Sequence, residues 1–426
     1  MKAEIVIIGA GAAGLMSARE LVKKNKKVLI LEARNRIGGR IWSLPEKDFG
    51  YEAQGGAEFT HGPVPVTKTL VREAGLTYLP MPDDGQMWIF DGELKKGFLI
   101  TEHPEFLRHK NKINEILKKL NKDMPVAVFL EKFFADDQYK EFRKLVIQMV
   151  ESFDAADPNK ISTFSLREEW LGKEEWIQGR IKEGYGAILN FLESECKKYN
   201  VEILFNKIVN KIELTDIINI QCVDGSSYEA EKVIITVPTP AIKQIQFQPS
   251  IPDKLKAAEE IGFGPVIKVL FKFRDRWWLE DGRKNMSKAV FILCVNGKYN
   301  AWWTQYPETY PVLTGWIAGS NALELKDKNQ NEIIELGIDS LAEVFSVDRV
   351  LIKDNLLASR VINWPIDPFS QGAYSYSTTN SERAYAELRK SIDNKIFFAG
   401  EALYNELETA TVEGALASGL EIANKI

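Results

Sequence analysis

The feature that most constrains this chain is a glycine-rich turn at residues 9–14, which lies between an apolar run and an amphipathic segment. The run Glu4–Ile8 is apolar after its first residue, as in a strand that is buried on both faces. The turn reads Gly-Ala-Gly-Ala-Ala-Gly, and apolar side chains then recur on one helical face up to about Lys24. A strand, a G-x-G-x-x-G turn and a helix in this order predict an α/β fold in which the helix N-terminus faces a phosphate group.

An acidic residue completes this unit. A second apolar strand, Val28–Leu31, is followed by Glu32, whose carboxylate is placed to accept hydrogen bonds from ribose hydroxyls and whose charge disfavours a 2′-phosphate. The segment Arg34–Arg40 then brings two adjacent glycines and three arginines, and Arg40 can pair with phosphate oxygens. Together these elements predict a dinucleotide site.

The rest of the chain indicates two domains that are interleaved in sequence. Residues 102–180 are predicted to be helical, and residues 265–320 to alternate strands with turns rich in Trp and Tyr. Short strands are predicted at Val201–Phe205, Lys207–Leu214, Ile218–Val223 and Val233–Val237, with a hairpin turn at Asp224-Gly225. The last apolar strand runs into Gly400 much as the first runs into Gly9, so we expect both ends of the chain to join one domain.

We therefore predict an α/β nucleotide-binding domain of the Rossmann type, formed by residues 1–75, 184–255 and 385–426. Residues 76–183 and 256–384 are predicted to form an inserted substrate-binding domain, in which a mixed sheet and helices give an α+β arrangement. The 426 residues of the chain are enough for both.

Composition and charge argue against several classes of partner. The formal net charge of −5 gives no electrostatic reason to expect nucleic acid. The three cysteines are widely spaced, so neither a disulfide framework nor a metal site is predicted and a reducing compartment fits best. With no signal peptide before the first strand and no apolar run near the roughly 20 residues of a membrane helix, we expect a cytoplasmic protein without a membrane partner, as a monomer or a homodimer.

Motifs over nearly the whole chain resemble the flavin-containing amine oxidase family, which includes monoamine oxidases, polyamine oxidases and lysine-specific histone demethylases. The segment Glu32–Arg40 resembles the family's Glu-Ala-x-x-Arg-x-Gly-Gly-Arg, and Phe398–Ala402 resembles its C-terminal cofactor motif. Glu183-Gly184-Tyr185 resembles a helix start of the family, whereas residues 76–180 match only as a helical region. The resemblance implies flavin adenine dinucleotide (FAD) as the cofactor.

The resemblance also implies which residues line the FAD. Gly55–Ala57 resembles the loop beside the flavin ring, and Glu401 matches a position near the ribityl chain. The helix that begins after Thr411 matches one that points at the pyrimidine edge of the flavin, where its dipole would stabilise charge on the reduced ring. The implied cofactor residues are Gly9, Ala10, Gly11, Ala13, Gly14, Glu32, Ala33, Arg34, Gly39, Arg40, Gly55, Gly56, Ala57, Glu58, Val209, Trp364, Ala373, Gly400, Glu401, Thr411 and Val412.

One strand carries a lysine that indicates amines within the wider group of related flavoproteins. Lys268 lies in the otherwise apolar run Val266–Val269 and resembles the active-site lysine of the family, which holds a water against flavin N5. The alternative is an edge-strand lysine that faces solvent, as we expect of Lys272 four residues later.

An aromatic segment supplies the second indication of an amine. Trp364 and the run Asp367–Tyr376 resemble the family segment that places a tryptophan beside the flavin and one wall of an aromatic cage, which would be Tyr374. An aromatic face attracts an ammonium on entry and then confines the neutral amine. The alternative is that Trp364 and Tyr374 are ordinary core aromatics.

Three positions depart from monoamine oxidases and resemble polyamine oxidases. Ala373 stands where monoamine oxidases attach FAD through a cysteine, which implies non-covalent FAD. Thr411 stands in the place of the second aromatic wall, and His61 matches a histidine of polyamine oxidases, although a loop histidine is as typical of a surface hydrogen bond. Glu58 is an acid where the family has a smaller or neutral residue, and it either binds a distal ammonium or faces a backbone N–H.

The predicted reaction is therefore the oxidation of an amine, with O2 reduced to H2O2 and with Lys268, Tyr374, Thr411 and His61 on the substrate side. A small polyamine or secondary amine is the expected substrate. A primary monoamine is an alternative, as is an amino acid, whose carboxylate needs a guanidinium near the flavin. A flavoprotein that acts through protein binding instead of turnover is a further alternative.

Overall fold

The strands and helices of the computed structural model follow an α/β order. The structure describes residues 2–97, 102–172, 178–279, 285–404 and 409–426. Within these ranges the strands, β1 to β20 in chain order, are Lys2–Ile8, Val28–Leu31, Thr60–His61, Tyr78–Pro80, Gln86–Phe90, Leu94–Lys96, Gln178–Ile181, Glu202–Leu204, Val209–Leu214, Ile218–Cys222, Ser227–Ile235, Gln246–Gln248, Gly262–Gly264, Val266–Phe273, Ala289–Cys294, Ala301–Trp303, Val312–Ala318, Leu356–Asn363, Tyr374–Tyr376 and Ile396–Phe398. The α-helices there, α1 to α15, are Ala12–Lys23, Glu46–Phe49, Pro65–Glu73, Pro104–Lys119, Val126–Phe133, Lys140–Phe153, Thr163–Leu171, Tyr185–Lys198, Thr239–Ile242, Pro252–Glu260, Ser320–Leu325, Gln330–Phe345, Arg349–Asn355, Ser381–Arg389 and Val412–Lys425.

The largest sheet has a parallel centre and an antiparallel flank. Its strands lie in the order β12-β9-β10-β11-β1-β2-β8, and β20 also pairs with β11. Because β1 runs parallel to both β11 and β2, the turn after β1 lies at the carboxyl edge, where sheets of this kind bind ligands. β9, β10 and β11 form the antiparallel flank, and the hairpin between the last two turns at the predicted Asp224-Gly225.

The strand predicted at Val233–Val237 begins earlier and ends earlier than expected. β11 starts at Ser227 because residues 227–231 alternate exposed and buried side chains, a pattern that a search for continuous apolar runs passes over. The strand ends at Ile235, and the next residue turns its hydroxyl toward the glycine turn: Thr236 Oγ1 donates to the carbonyl oxygen of Ile8 at 2.9 Å.

Helices cover both faces of this sheet. α1, α8 and α15 pack on one face, where a Cβ on Gly419 of α15 would lie 2.4 Å from the carbonyl oxygen of Ala13. α10 and α14 pack on the other face, where Ala257 and Ala384 share an apolar core with the strands. The domain limits drawn after residue 255 and before residue 385 fall within these two helices, and we propose that both helices belong with this sheet.

A second sheet and a group of helices form the remainder. The strands lie in the order β18-β14-β17-β16-β15-β5-β6, and α12 packs on them in a shared apolar core. Within the region predicted to alternate strands with turns rich in Trp and Tyr, Trp302 lies in β16 and Trp316 in β17. Trp302 packs against α12, where its Nε1 donates to Ser340 Oγ at 3.1 Å. α4 to α7 surround a separate core that includes Phe106 and Phe142.

The two large sheets draw their strands from the segments that the sequence assigned to two domains. That division stays a prediction, as do the cytoplasmic location and the oligomeric state. A small sheet of β3, β7 and β4 joins the two sets of segments. No helix in the described ranges is long and apolar enough to cross a membrane.

Candidate active site

The glycine turn after β1 has a close contact and a backbone conformation that favour glycine over residues with a Cβ. A Cβ on Gly14 would lie 2.0 Å from the carbonyl oxygen of Gly9, so the third glycine allows α1 to start against the turn. Gly9 itself has a φ of +107°, which L side chains rarely adopt. A Cβ on Gly11, in contrast, would meet no atom within 4 Å, so this position borders open space at the N-terminus of α1. The turn can therefore admit a phosphate group.

Glu32 ties this turn to the segment after β2. Its side chain is buried, Oε2 accepts the N–H of Ala10 at 2.7 Å, and Oε1 accepts the N–H of Arg34 at 2.8 Å. Burial raises the pKa of the Glu32 carboxyl, and these two N–H groups oppose the shift. Ala33, between Glu32 and Arg34 in the sequence, is half-buried. Each carboxylate oxygen keeps a further lone pair that can accept a ribose hydroxyl.

The two arginines implied to line the cofactor have carboxylate partners within the protein. Arg34 forms a fork with Asp367, at 2.9 and 2.6 Å. Arg40 Nη1 donates to Glu401 Oε1 and to the carbonyl oxygen of Ala373, both at 2.8 Å. Arg34 is thus engaged by a segment of the second sheet's domain, whereas Arg40 joins two of the implied cofactor motifs.

Three further glycines lie near the arginine segment: two border open space, and the third lets two loops pack closely together. Gly39 and Gly400 have positive φ, and a Cβ on either would meet no atom within 4 Å. A Cβ on Gly56 would lie 1.7 Å from the carbonyl oxygen of Arg40, so the loop Gly55–Ala57 passes directly against the arginine segment. The N–H of Gly55 donates to the carbonyl oxygen of Trp42 at 2.7 Å.

The final helix begins beside the Gly400 turn. The N–H of Ala410 donates to the carbonyl oxygen of Glu401 at 3.2 Å, and Thr411 caps α15 by accepting the N–H of Gly414 at 3.0 Å. Val412 is therefore the first helical residue, as the sequence predicted. Open space at Gly11, Gly39 and Gly400, a buried acid after β2, and two helix starts are together compatible with an extended dinucleotide such as FAD.

Val209 and Trp364 lie at the margins of the same region. Val209 starts β9 and is buried, and its register partner is Cys222 of β10. Trp364 is also buried, and its ring meets that of Trp42 edge-on with 6.5 Å between centroids. A Cβ on Gly56 would lie 3.4 Å from the Trp364 ring, so this tryptophan borders the loop implied to run beside the flavin.

Lys268 is a buried lysine on a central strand. β14 lies between β17 and β18, so the edge-strand alternative does not apply, and the side chain is only 1% exposed. Its Nζ donates to Glu58 Oε2 at 2.8 Å and to the carbonyl oxygen of Gly56 at 3.0 Å. Lys272, by comparison, is half-buried and donates to the carbonyl oxygen of Asp48. Lys268 thus contacts the loop that the resemblance places beside the flavin ring.

Glu58 is the centre of a buried ionic cluster. In addition to Lys268, its carboxylate accepts the Nε1 hydrogen of Trp303 at 3.1 Å and pairs with Arg180 of β7 at 3.2 Å. Burial raises the pKa of the Glu58 carboxyl, but Lys268 and Arg180 outweigh it, so the pKa lies below its usual value. Glu58 therefore pairs with Lys268 and Arg180, while the two roles weighed from sequence, a distal ammonium site and a backbone contact, stay predictions.

An aromatic wall connects this cluster to Tyr374. The rings of Tyr374 and Trp316 are nearly parallel, at 14°, with 6.5 Å between centroids, and Trp316 in turn lies 5.8 Å from Trp303. Tyr374 is half-buried, and its hydroxyl donates to the carbonyl oxygen of Phe153 at 2.6 Å. Lys268 Nζ lies 5.2 Å from the centroid of Trp303. The wall therefore runs from Tyr374 to the lysine.

His61 of β3 lies next to Phe153, the residue whose carbonyl oxygen accepts the Tyr374 hydroxyl. Its ring meets that of Phe153 edge-on at 6.0 Å between centroids, and its Nδ1 lies 3.2 Å from Nε2 of Gln178. Burial lowers the pKa of His61 to about 4. The imidazole is therefore neutral at pH 7 and does not repel a cationic substrate.

Two interacting carboxyl groups lie on the helical side of Tyr374, and Asp154 is the one next to it. Asp154 follows α6 and Glu169 lies on α7, and neither pairs with a cation among the residues that the structure describes. Burial, and then the charge of Glu169, raise the pKa of Asp154 well above its usual value, while burial raises the pKa of Glu169 to about 7. Burial and the charge of Asp154 also raise the pKa of Tyr374. Glu169 nevertheless contacts solvent, so the acid pair is accessible.

Sequence reasoning missed Arg180, Asp154, Glu169 and Glu413. Glu413 is buried in the first turn of α15, where it accepts the N–H groups of Val66 and Thr67 at 2.7 and 2.8 Å and so holds the start of α3. Its signal was an acid in the first turn of an otherwise apolar helix. Arg180 and the two acids carry no local signal, because charged residues at helix and strand ends usually face solvent.

Known proteins resemble this chain in sequence and in fold. The family described as flavin containing amine oxidoreductase matches residues 12–426. The chain is 27% identical to human lysine-specific histone demethylase 2, over 99% of this chain and 53% of that protein, and it spans about half the length of the demethylases it matches. It is 26% identical to polyamine oxidase 5 of Oryza sativa subsp. japonica, over 98% of this chain and 86% of that protein. Wild-type putrescine oxidase bound to putrescine superposes with a TM-score of 0.80 over 100% of this chain and 99% of the other, and at 16% identity this likeness shows the fold alone.

Proposed function

Because the chain belongs to the flavin containing amine oxidoreductase family, we propose that it oxidises the C–N bond of a polyamine or another secondary amine. The bond loses two electrons and two protons to give an imine, O2 becomes H2O2, and water then converts the imine to a carbonyl compound and a shorter amine. The cofactor is FAD, bound without a covalent link, consistent with Ala373 at the position where a cysteine would be needed. When bound, FAD supplies the hydride acceptor for this chemistry.

The observation that carries the polyamine proposal is an acid pair: Asp154 directly follows Phe153, whose carbonyl oxygen accepts the Tyr374 hydroxyl at 2.6 Å, and Glu169 interacts with Asp154. A polyamine has a second nitrogen that stays protonated at neutral pH, and carboxyl groups whose pKa values are raised gain negative charge when that ammonium arrives. A monoamine has no group to place there. The pair therefore favours a substrate with two or more amino groups.

The opposite end of the aromatic wall suits the nitrogen that reacts. Lys268 and Arg180 share one carboxylate, so an ammonium at this end meets net positive charge, whereas a neutral amine does not. Burying an unpaired ammonium among Tyr374, Trp316 and Trp303 would also cost several kcal/mol. These side chains therefore favour the neutral form of the reacting amine and hold it in one orientation.

Arg180 bears on the amino-acid alternative. It is a guanidinium close to Lys268, and one of the chain's relatives, at 23% identity, is an L-amino-acid oxidase from Siganus canaliculatus. Its guanidinium already pairs with Glu58 at 3.2 Å and donates to the carbonyl oxygen of Thr304 at 3.3 Å, so a substrate carboxylate would have to displace these partners. This favours amines without a carboxylate.

The experiment is a peroxide-release assay with purified holoprotein and a substrate panel: polyamines, N-acetylated polyamines, arylalkylamines, amino acids and a peptide with a methylated lysine. Peroxide from the polyamines alone is the expected outcome. Turnover of only arylalkylamines, amino acids or the peptide would reassign the substrate. If no substrate releases peroxide, anaerobic bleaching of the flavin by the same panel decides whether amine oxidation itself, or only the use of O2, is wrong.

A further inference from the structure

The cluster around Lys268 holds one carboxylate for two cations. Glu58, Lys268 and Arg180 come from the loop before β3, from β14 and from β7, and their side chains are 9%, 1% and 16% exposed. With all three ionised, the cluster carries one net positive charge in a place that water scarcely reaches. A buried charge without a matched partner is costly, so a small change in the surroundings can shift which of the three groups carries a proton.

The two oxygens of Glu58 serve different partners. Oε2 accepts the Lys268 ammonium at 2.8 Å and the Nε1 hydrogen of Trp303 at 3.1 Å, while Oε1 pairs with Arg180 at 3.2 Å. Lys268 Nζ also donates to the carbonyl oxygen of Gly56 at 3.0 Å. The Glu58 carboxylate thus pulls the lysine toward the 55–57 loop, and Arg180 draws on the same charge from the other side.

We propose that Glu58 is a positioning residue for Lys268: its carboxylate fixes the lysine against the carbonyl oxygen of Gly56 and holds it in the ammonium form, and Arg180 competes for that carboxylate. Glu58 and Arg180 therefore act on the lysine in opposite directions. The relevance to catalysis rests on the proposed function, because it requires that Lys268 takes part in amine oxidation. The electrostatic arrangement itself does not depend on the substrate.

The charged neighbours of Lys268 are few, which makes the proposal specific. On the strands that flank it, its register partners are Trp316 of β17 and Ile362 of β18, neither of which titrates. Trp303 of β16 contributes an indole N–H. Tyr51, near Glu58 and Arg180, is a phenol whose pKa is raised first by burial, so it stays neutral. Among the described residues, the charges that bear on the lysine are therefore those of Glu58 and Arg180.

The direction of each effect follows from the same geometry. Burial lowers the pKa of Lys268, Glu58 opposes that shift, and Arg180 adds to it. Without Glu58, burial and Arg180 would act together and the lysine would lose its proton more readily. Without Arg180, the lysine would have the carboxylate to itself and would keep its proton to higher pH.

The test compares Glu58→Gln with Arg180→Gln in the holoprotein, with two readouts. The first is an NMR titration of the lysine ammonium signals after ¹⁵N-lysine labelling, in which the Lys268 signal is the one missing from Lys268→Met. We expect Glu58→Gln to lower the titration midpoint of Lys268 by about one to three pH units, and Arg180→Gln to raise it. The second readout is the pH profile of anaerobic flavin reduction by the best amine, which should move in the same two directions.

Glu73→Gln is the matched control, because it removes a carboxylate from a different ion pair, the one with the buried Arg19 of α1. It should leave both readouts unchanged. Arg180→Gln leaves a balanced Glu58–Lys268 pair, so it keeps the proposal testable if Glu58→Gln does not fold.

Midpoints that do not move, or that move in the same direction in both variants, would overturn the proposal. Opposite shifts of the NMR midpoint in a protein that oxidises no amine would instead leave the positioning role intact and overturn the proposed function. A purely structural role for Glu58 predicts lower stability without an opposite effect of Arg180→Gln, and the sign of the second variant therefore decides between the two.

Discussion

The nucleotide end and the amine end of the site differ in how their charges are matched. At the nucleotide end, Arg34 forks with Asp367 and Arg40 pairs with Glu401, while Arg36 donates to backbone carbonyl oxygens and feels the charge of Glu32. At the amine end, Lys268 and Arg180 share Glu58. Farther along the aromatic wall, Asp154 and Glu169 have no cationic partner among the described residues.

This difference suggests that the nucleotide end serves to hold the cofactor and that the amine end serves to discriminate between substrates. A site with matched charges adds little electrostatic preference of its own, so we expect backbone shape and Glu32 to contribute most to binding of the dinucleotide. The amine end leaves positive charge at the lysine and negative charge at the acid pair, and these excesses can orient a substrate that carries its charge at one end. The following experiments test that contrast.

The largest effect is expected at the glycine turn. In Gly14→Ala the new Cβ would clash with the carbonyl oxygen of Gly9, which is backbone and cannot swing away, so we expect stability to fall by about 3 kcal/mol. In Gly11→Ala the Cβ meets no protein atom, so stability should change by less than about 0.5 kcal/mol while the flavin content of the purified protein falls. Thermal unfolding and flavin absorbance measure the two effects. Full flavin content in Gly11→Ala would show that this space is not the phosphate site.

Lys268→Met should slow flavin reduction or flavin reoxidation by about 100-fold or more, because the buried ammonium is lost from the reaction site. Flavin content should be kept, since the hydrogen bonds that the lysine loses are made to the protein itself, at Glu58 and at the carbonyl oxygen of Gly56. Stopped-flow absorbance at 450 nm or so follows both half-reactions. Lys272→Met, on the same strand, is the control and should behave like the parent. Unchanged rates in Lys268→Met would exclude this lysine from the chemistry.

Glu32→Gln should weaken FAD binding by about 10- to 100-fold, because it removes the charge from two hydrogen bonds that brace the turn and from the ribose contact. Titration of the apoprotein with FAD, followed by flavin fluorescence, gives the affinity. The amine KM of the fully reconstituted variant should stay the same. A changed KM with unchanged FAD affinity would mean that the two ends are coupled.

Glu169→Gln should raise the KM for a diamine by about tenfold and leave that for a monoamine unchanged, because only the diamine brings a second ammonium to the acid pair. Burial raises the pKa of Glu169 to about 7, so the pair gains charge as the pH rises through that value. The KM of the parent for diamines should therefore fall between pH 6 and 8, beyond what titration of the amine itself explains. Equal effects on both substrates would remove the pair from substrate recognition.

The smallest effect is expected from His61. Its pKa is lowered from 6.5 to about 4 by burial, so the unfolded chain takes up a proton before the folded protein does. Stability should consequently decline as the pH falls from 6.5 toward 4, and His61→Gln should make that decline shallower. Chemical denaturation at several pH values measures the slope. An identical slope in the variant would mean that His61 is charged or solvated in the folded protein.

The nucleotide end could be predicted from sequence because the residues that form it lie close together in the chain. The turn at residues 9–14 and Glu32 lie within one strand–helix–strand unit, and the spacing alone predicts their meeting. Lys268 was also found, since a lysine in an apolar strand is conspicuous. Arg180, which shares Glu58 with Lys268, was not found, because β7 is joined to this region through the small sheet with β3 and β4. The ion pairs of Glu58 depend on where three separate segments meet, and no single stretch of the sequence contains that information.

The pairing of β20 with β11, and the packing of α15 on α1, have a consequence for how the protein is made. A nascent chain that has not yet emerged beyond residue 396 lacks a strand of the nucleotide sheet and the helix that covers α1. β1 and α1 must therefore wait for β20 and α15, nearly the whole length of this sequence later, before their sheet and its cover are complete. Contacts this distant in sequence slow folding, so FAD can find its finished site only after synthesis has passed that point.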